Sequence, residues 1–310
     1  MTPDADPRGT RGGPPLSPAS RGDGTADADA PMSEEAGAGG ASGEEGRDQP
    51  KSYGTILEEE IFQGLHELER PPVGLFLSGL SAGLDIGFSV FFMAVLLSLM
   101  GGDLADPLTR ILLANAYPIG FVFVIVGRSE LFTEHTALAV FPVLGGRAGL
   151  GRLARLWGIV YVSNLIGAAA FAAMAVWVGP PLGVVSPAAF GGIAGDLVRT
   201  DWHVTLASAL LAGWMMGLLS WTLSAAQETI SRILLVWLVT SGIGLAGLHH
   251  CIVGSVEVLA GMFAGYQDTA QYATFLLWTT LGNALGGVIF VSIIKYSHAV
   301  KGPGIPTRRS

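Results

Sequence analysis

Long apolar runs separated by short polar breaks dominate the chain beyond residue 72. Six runs are long enough to count as spans: 73–100, 111–126 with a further piece at 131–144, 156–178, 204–226, 233–248 with a continuation at 252–263, and 272–294. A membrane helix needs about 20 mostly apolar residues. Two of the six are interrupted by polar residues where membrane depth is expected. The second meets Gly127-Arg128-Ser129-Glu130, and the fifth meets Gly247-Leu248-His249-His250-Cys251. Before the spans, Ile56, Leu57, Ile61, Leu65 and Leu68 recur at helical spacing among five glutamates. This predicts an amphipathic helix over 51–71, lying on the membrane surface or against the bundle, and ended by Pro71-Pro72.

Composition sharpens this picture. Of 310 residues, 50% are hydrophobic and 14% charged, with a mean hydropathy of +0.51. Residues 1–50 are rich in Gly, Pro, Ala, Ser and acids, and are expected to be a disordered tail. No apolar segment follows a basic start, so no secretory signal is expected. The membrane domain is expected over 72–298, followed by a short tail at 299–310. Cys251 is the only cysteine, which excludes an intrachain disulfide.

Charge asymmetry orients the spans. With the N-terminus inside, Lys51, Arg70, Arg128, Arg147, Arg152, Arg155, Arg232, Lys295, Lys301, Arg308 and Arg309 fall on inner loops and flanks, against Arg110 and Arg199 outside. Both termini are therefore expected to be cytoplasmic. The two interrupted spans hold corresponding places in two halves of three spans each. The third span carries Asn164-Leu165-Ile166-Gly167-Ala168, and the sixth carries Asn283-Ala284-Leu285-Gly286-Gly287. An odd number of spans per half makes the repeat inverted, and paired interrupted spans point to a central pathway. The fold class expected is an all-α membrane protein with six transmembrane helices in an inverted 3+3 repeat.

The breaks carry the candidate chemistry. Irregular backbone at membrane depth survives where it is buried in protein or lines a cavity. Each break is expected to leave backbone N–H groups free at the start of a half-helix, where an anion is attracted. A histidine beside them would strengthen that pull, and a weak-acid anion could leave as its neutral acid. His250 and His249 are the candidate pore histidines; the alternative is a pair of imidazoles satisfied by neighbouring carbonyls. Leu131, Phe132 and Leu248 are candidate apolar constrictions, with plain core packing as the alternative. Asp85, Arg128, Glu130 and Glu257 are candidate charge or proton partners. Asp85 is expected to pair with Arg128 or a histidine or to stay protonated, and Glu130 to cap the helix that follows it.

These residues resemble the formate/nitrite transporter family over about residues 53–298. The resemblance rests on Glu130-Leu131-Phe132-Thr133, the Gly-x-x-His segment ending at His250, and the Asn/Gly pairs. It implies an aquaporin-like protomer, a homopentamer in the bilayer of a bacterial inner membrane, and one pore per protomer for small monovalent anions such as formate, nitrite, hydrosulfide or lactate. It also implies that His250 is the central pore histidine and that Thr133 hydrogen-bonds it. Departures mark a less typical branch: His249 stands where the family usually has glutamate, Gly254 where asparagine is common, Gly217 in place of an amide, and Arg128 is an extra base.

Other classes fit less well. Gly79-Leu80-Ser81-Ala82-Gly83 matches a hydrolase elbow, but it falls inside an apolar helix rather than on a strand–turn–helix, so no enzyme activity is expected. His249, His250 and Cys251 lack the spacing of a metal site. No cofactor and no nucleic-acid partner is expected. An aquaporin would carry Asn-Pro-Ala at each break, and neither break has it. A pore for another small neutral or charged solute, or a non-conducting sensor or scaffold, remains the alternative.

Overall fold

A computed structural model describes residues 51–301. The expected tail at 1–50 and the last nine residues lie outside the described residues. Within them, the fold is helical throughout. Helix α1 (Tyr53–Glu69) is capped by Ser52, whose side chain accepts from the Thr55 N–H. It lies against the bundle, burying Ile56, Leu57, Ile61 and Leu68. The extended Arg70 and Pro71 then turn the chain into α2 (Pro72–Asp85). This continues through Ile86 into α3 (Gly87–Leu99), and the pair forms one long apolar arm.

The second arm is α4 (Pro107–Ala116) and α5 (Pro118–Val126). Pro118 lacks the N–H that would continue the ladder, which accounts for the join. After the first break come α6 (Phe132–Leu138) and α7 (Phe141–Leu144), and then α8 (Leu150–Val178). A short helix follows, α9 (Pro187–Val198), where an outer loop is the natural reading of the sequence. At 12 residues it is too short to span, but it packs on the second half-helix. The second half runs α10 (Trp202–Ala225), α11 (Thr229–Leu245), the second break, α12 (Cys251–Phe263) and α13 (Thr269–Gly286). A π-helical segment, Gly287–Ile293, leads into α14 (Ile294–Lys301).

Among the described residues, five helical stretches are long and apolar enough to cross a membrane: α2 with α3, α4 with α5, α8, α10, and α13 through α14. The sixth crossing is the split pair α11 and α12. Large apolar side chains such as Val73, Leu77, Leu99 and Trp177 lie on the surface, as a lipid-facing exterior requires.

The repeat is visible in the packing. α2 pairs with α8, and α10 with α13. A Cβ on Gly83 would sit 2.2 Å from the Asn164 carbonyl oxygen, and one on Gly213 would sit 2.2 Å from that of Asn283. Gly167 faces the Leu80 carbonyl as Gly286 faces that of Leu210. Small residues let these backbones touch, as in close-packed membrane helices. Gly79 and Gly83 of the hydrolase-like motif are thus contact points on a helix, not the corners of an elbow.

Candidate functional site

The two breaks are built alike. α5 ends with the Ser129 N–H bonded to Val124 O at 2.9 Å and the Arg128 N–H to Ile125 O at 3.3 Å. α11 ends with the Leu248 N–H on Ile243 O at 3.0 Å and the Gly247 N–H on Gly244 O at 3.2 Å. Both are Schellman turns, which need a left-handed residue after the helix. Gly247 supplies it at φ +63°, and Arg128 supplies it at φ +58°.

An asparagine then clamps each break. Asn164 accepts from the Phe132 N–H at 2.8 Å and donates to Gly79 O and Glu130 O. Asn283 accepts from the Cys251 N–H at 2.8 Å and donates to Ala209 O and His249 O. A serine completes each clamp: Ser78 accepts from the Glu130 N–H and Ser208 from the His249 N–H. By this matching, Leu131 is the counterpart of His250, Glu130 of His249, and Thr133 of Ile252.

His250 is buried and caps α12. Its Nδ1 accepts from the Ile252 and Val253 N–H groups, both at 3.3 Å. Those donors leave Nδ1 without a hydrogen, so the ring carries its proton on Nε2. Nε2 lies 2.9 Å from Thr133 Oγ1, across the gap between the two breaks. The Phe121 ring meets the imidazole edge-on, with centroids 5.3 Å apart. Leu131 is fully buried, and Phe132 is buried against Trp157 and Tyr161. Leu248 lines a small cavity on the far side.

The structure corrects three expectations. The first N–H groups of α12 are not free: Asn283 takes that of Cys251, His250 Nδ1 takes the next two, and His250 O takes that of Gly254. At the first break only part of the set is taken, by Asn164 and Leu131 O. Glu130 does not cap α6, whose cap position is Leu131. Its carboxylate instead pairs with Arg70 from the end of α1 and with His135, while Arg70 also binds Glu67 at 2.8 Å. Of the outcomes expected for Asp85, only the pairing with Arg128 or a histidine is overturned: it accepts from Ser81 at 3.1 Å and, weakly, from Ser129 at 3.5 Å. Arg128 forms no ion pair among the described residues.

His249 is held differently from His250. Its ring lies between Ser208 (Nδ1, 2.9 Å) and the Leu197 carbonyl of α9 (Nε2, 3.1 Å). The glycines at the other departures have neighbours that need their space. A Cβ on Gly254 would come 2.4 Å from Phe275 Cζ, and one on Gly217 2.6 Å from Val291 Cγ2.

Two hollows flank this centre. A vestibule of about 880 Å³ on the α1 side is lined by four arginines (Arg70, Arg128, Arg147, Arg232) and five glutamates, Glu130 and Glu134 among them. A cavity of about 120 Å³ lies against the second break, lined by Tyr117, Gly247, Leu248 and Glu257 among others.

Residues 55–297 match the family model described as formate/nitrite transporter. The chain belongs to the formate/nitrite transporter family. It is 32% identical over 259 residues to inner membrane protein YfdC of Escherichia coli (strain K12), covering 81% of this chain and 80% of that one. It is 28% identical to nitrite transporter NirC of Salmonella typhimurium, covering 72% and 82%. Among solved structures it resembles an FNT family ion channel (TM-score 0.70, 22% identity, 78% of this chain and 98% of that one) and a pentameric formate channel with formate bound (TM-score 0.61, 21% identity, 74% and 98%). The fold is therefore the aquaporin-like fold of this family, and those of these relatives that are named for an activity are a transporter and channels.

The sequence carried the breaks but not their clamps. Nothing in the order of residues announced Phe121, Ser78, Ser208 or α9 as neighbours of the breaks. The one available signal was the asparagine pair, which marked the repeat without revealing what the amides hold.

Proposed function

We propose that this protein is a pore for small monovalent weak-acid anions, of the formate, nitrite or hydrosulfide kind, in a bacterial inner membrane. Each protomer of a homopentamer would carry its own path, with both termini cytoplasmic. The observation that carries this reading is the His250–Thr133 pair, held between the two breaks and flanked by a hollow on each side.

The vestibule carries four arginines among five glutamates, and Arg128, which has no ion-pair partner among the described residues, is its cation for an anion near the first break. Deeper in, Leu131 and Phe132 strip water from them. His250 Nε2–H and the Thr133 hydroxyl are the donors that replace it. Both ring nitrogens are committed: a second proton on Nδ1 would face two N–H donors and break the cap of α12. His250 therefore works as a neutral donor. It holds the anion until a proton arrives from vestibule water, and the solute passes on as its neutral acid. The Thr133 N–H, the one left at the start of α6, supports the same attraction.

The test is uptake of formate, nitrite and hydrosulfide by proteoliposomes across a pH gradient. Wild type should pass at least one of them. His250→Ala removes the donor and the cap together, and flux should fall by roughly 10–100-fold. Equal flux in the two proteins would refute the mechanism.

A further inference from the structure

Glu257 lies outside the mechanism above, yet it is placed on its path. It is 6% exposed and lines the small cavity at the second break. Its carboxyl has no hydrogen-bond or ion-pair partner among the described residues. A buried acid in a membrane helix normally has one. It lies seven residues beyond His250, the cap of the same helix, which is close to two helical turns or about 10 Å along the axis. An aromatic wall joins them: His250 meets Phe121, Phe121 packs on Tyr117 at 5.4 Å, and Tyr117 lines the cavity with Glu257. The counterpart of Glu257 in the first half is Leu138, a buried residue of α6.

The surroundings define what such a carboxyl can do. Asp196 of α9 lines the cavity and is paired with Arg199. Arg110 and Tyr117 come from the second arm, and α3 and α11 contribute only apolar side chains and glycine. Neither α8 nor α13 contributes to the lining. An ionised Glu257 would repel an anion. A protonated one offers a donor and an acceptor side by side, which is the complement of a small carboxylate or similar oxyanion. The cavity has room for a solute of a few heavy atoms, since a water occupies about 30 Å³.

We propose that Glu257 forms a second solute-binding station that selects weak acids over permanent anions by exchanging a proton with them. The Glu257 O–H bond breaks and an O–H bond forms on the solute anion. The solute leaves as neutral acid and Glu257 as carboxylate. A proton from water at the cavity mouth, near Arg110, restores the carboxyl. In the opposite direction each step reverses. This inference rests on the weak-acid reading given above.

The experiment uses the full chain in proteoliposomes, with formate as the weak acid, nitrate as the permanent anion, and a pH dye inside. Glu257→Gln preserves size and one donor but cannot exchange a proton. The nitrate-to-formate flux ratio should rise roughly tenfold over wild type, and proton co-movement with formate should fall. Glu257→Asp, which keeps the chemistry, should retain the co-movement. An unchanged ratio and unchanged co-movement in Glu257→Gln would overturn the inference while leaving the pore intact. Methylammonium uptake by wild type that is lost in Glu257→Gln would overturn it in favour of a cation site. If wild type moves neither formate nor nitrate, the weak-acid reading fails, and this inference with it.

Discussion

The two breaks share one backbone and differ in almost every side chain they carry. Each has a Schellman turn, a serine, an asparagine clamp and an extended cap residue. On that common frame the first break carries Arg128, Glu130, Leu131 and Thr133. The second carries Gly247, His249, His250 and Ile252. The frame holds irregular backbone inside an apolar bundle, where unpaired groups are costly. It is therefore repeated, while the chemistry is free to diverge. The donors come from opposite halves: the imidazole from the second and the hydroxyl that meets it from the first. Only the first break is tied to α1, through Arg70, Glu67, Glu130 and His135.

The strongest test of the shared frame is Asn164→Ala against Asn283→Ala. Each leaves three buried backbone groups without a partner, which should cost about 3–4 kcal/mol. The two losses should be similar in thermal or denaturant unfolding in detergent. A loss confined to one variant would show that the halves are clamped differently.

The next test concerns the side that carries α1. Glu60 on that helix is buried and accepts from Ser224 at 2.6 Å. Burial raises its pKa from 4.5 to about 7; the serine hydrogen bonds oppose the shift and Glu134 adds to it. The folded protein thus keeps a proton that the unfolded chain has already released. The stabilisation is fully present below about pH 4.5 and is lost as pH rises through about 7. Its full size is on the order of 3 kcal/mol. Glu60→Gln should flatten the dependence of α1 protection on pH, read by hydrogen exchange. A profile unchanged by the substitution would remove Glu60 from that account.

Thr133→Val against Ile252→Thr probes the divergent chemistry. The first leaves the His250 Nε2–H without its acceptor at about 1–3 kcal/mol, and formate flux should fall with it. The second adds a hydroxyl at the mirror position, where no imidazole faces it, and flux should hold. The smallest effect is in the turns. Gly247→Ala should lose about 1 kcal/mol, because it forces a side chain into the left-handed region. Arg128→Gly should lose nothing and gain up to about 1 kcal/mol from the relief of that strain. Opposite signs in the melting temperatures would support the matching of these two positions.

The breaks were legible because each puts glycine and polar residues inside an apolar run, and the asparagine pair revealed the repeat. The partners of those residues were not. Asn164 meets Phe132 only because α8 packs on α2 through glycines, a contact that linear spacing does not encode. The free N–H groups expected at α12 were lost to a side chain folding back on its own helix, which His250 does and Leu131 cannot. Glu130 looked like a cap because acids favour helix starts; its true partners lie 60 residues upstream and one turn downstream. α9 was hidden by its length, being too short and too rich in small residues to stand out from a loop.

The central claim is that His250 stands at the second break as a neutral ring, with its hydrogen on Nε2. Nitrogen NMR of the histidine-labelled protein in lipid reads this directly, with the His250→Asn variant assigning the signal among the six histidines. Near neutral pH the account predicts one unprotonated Nδ1 and one protonated Nε2 for this residue. A ring protonated on both nitrogens, or on Nδ1 alone, would contradict it.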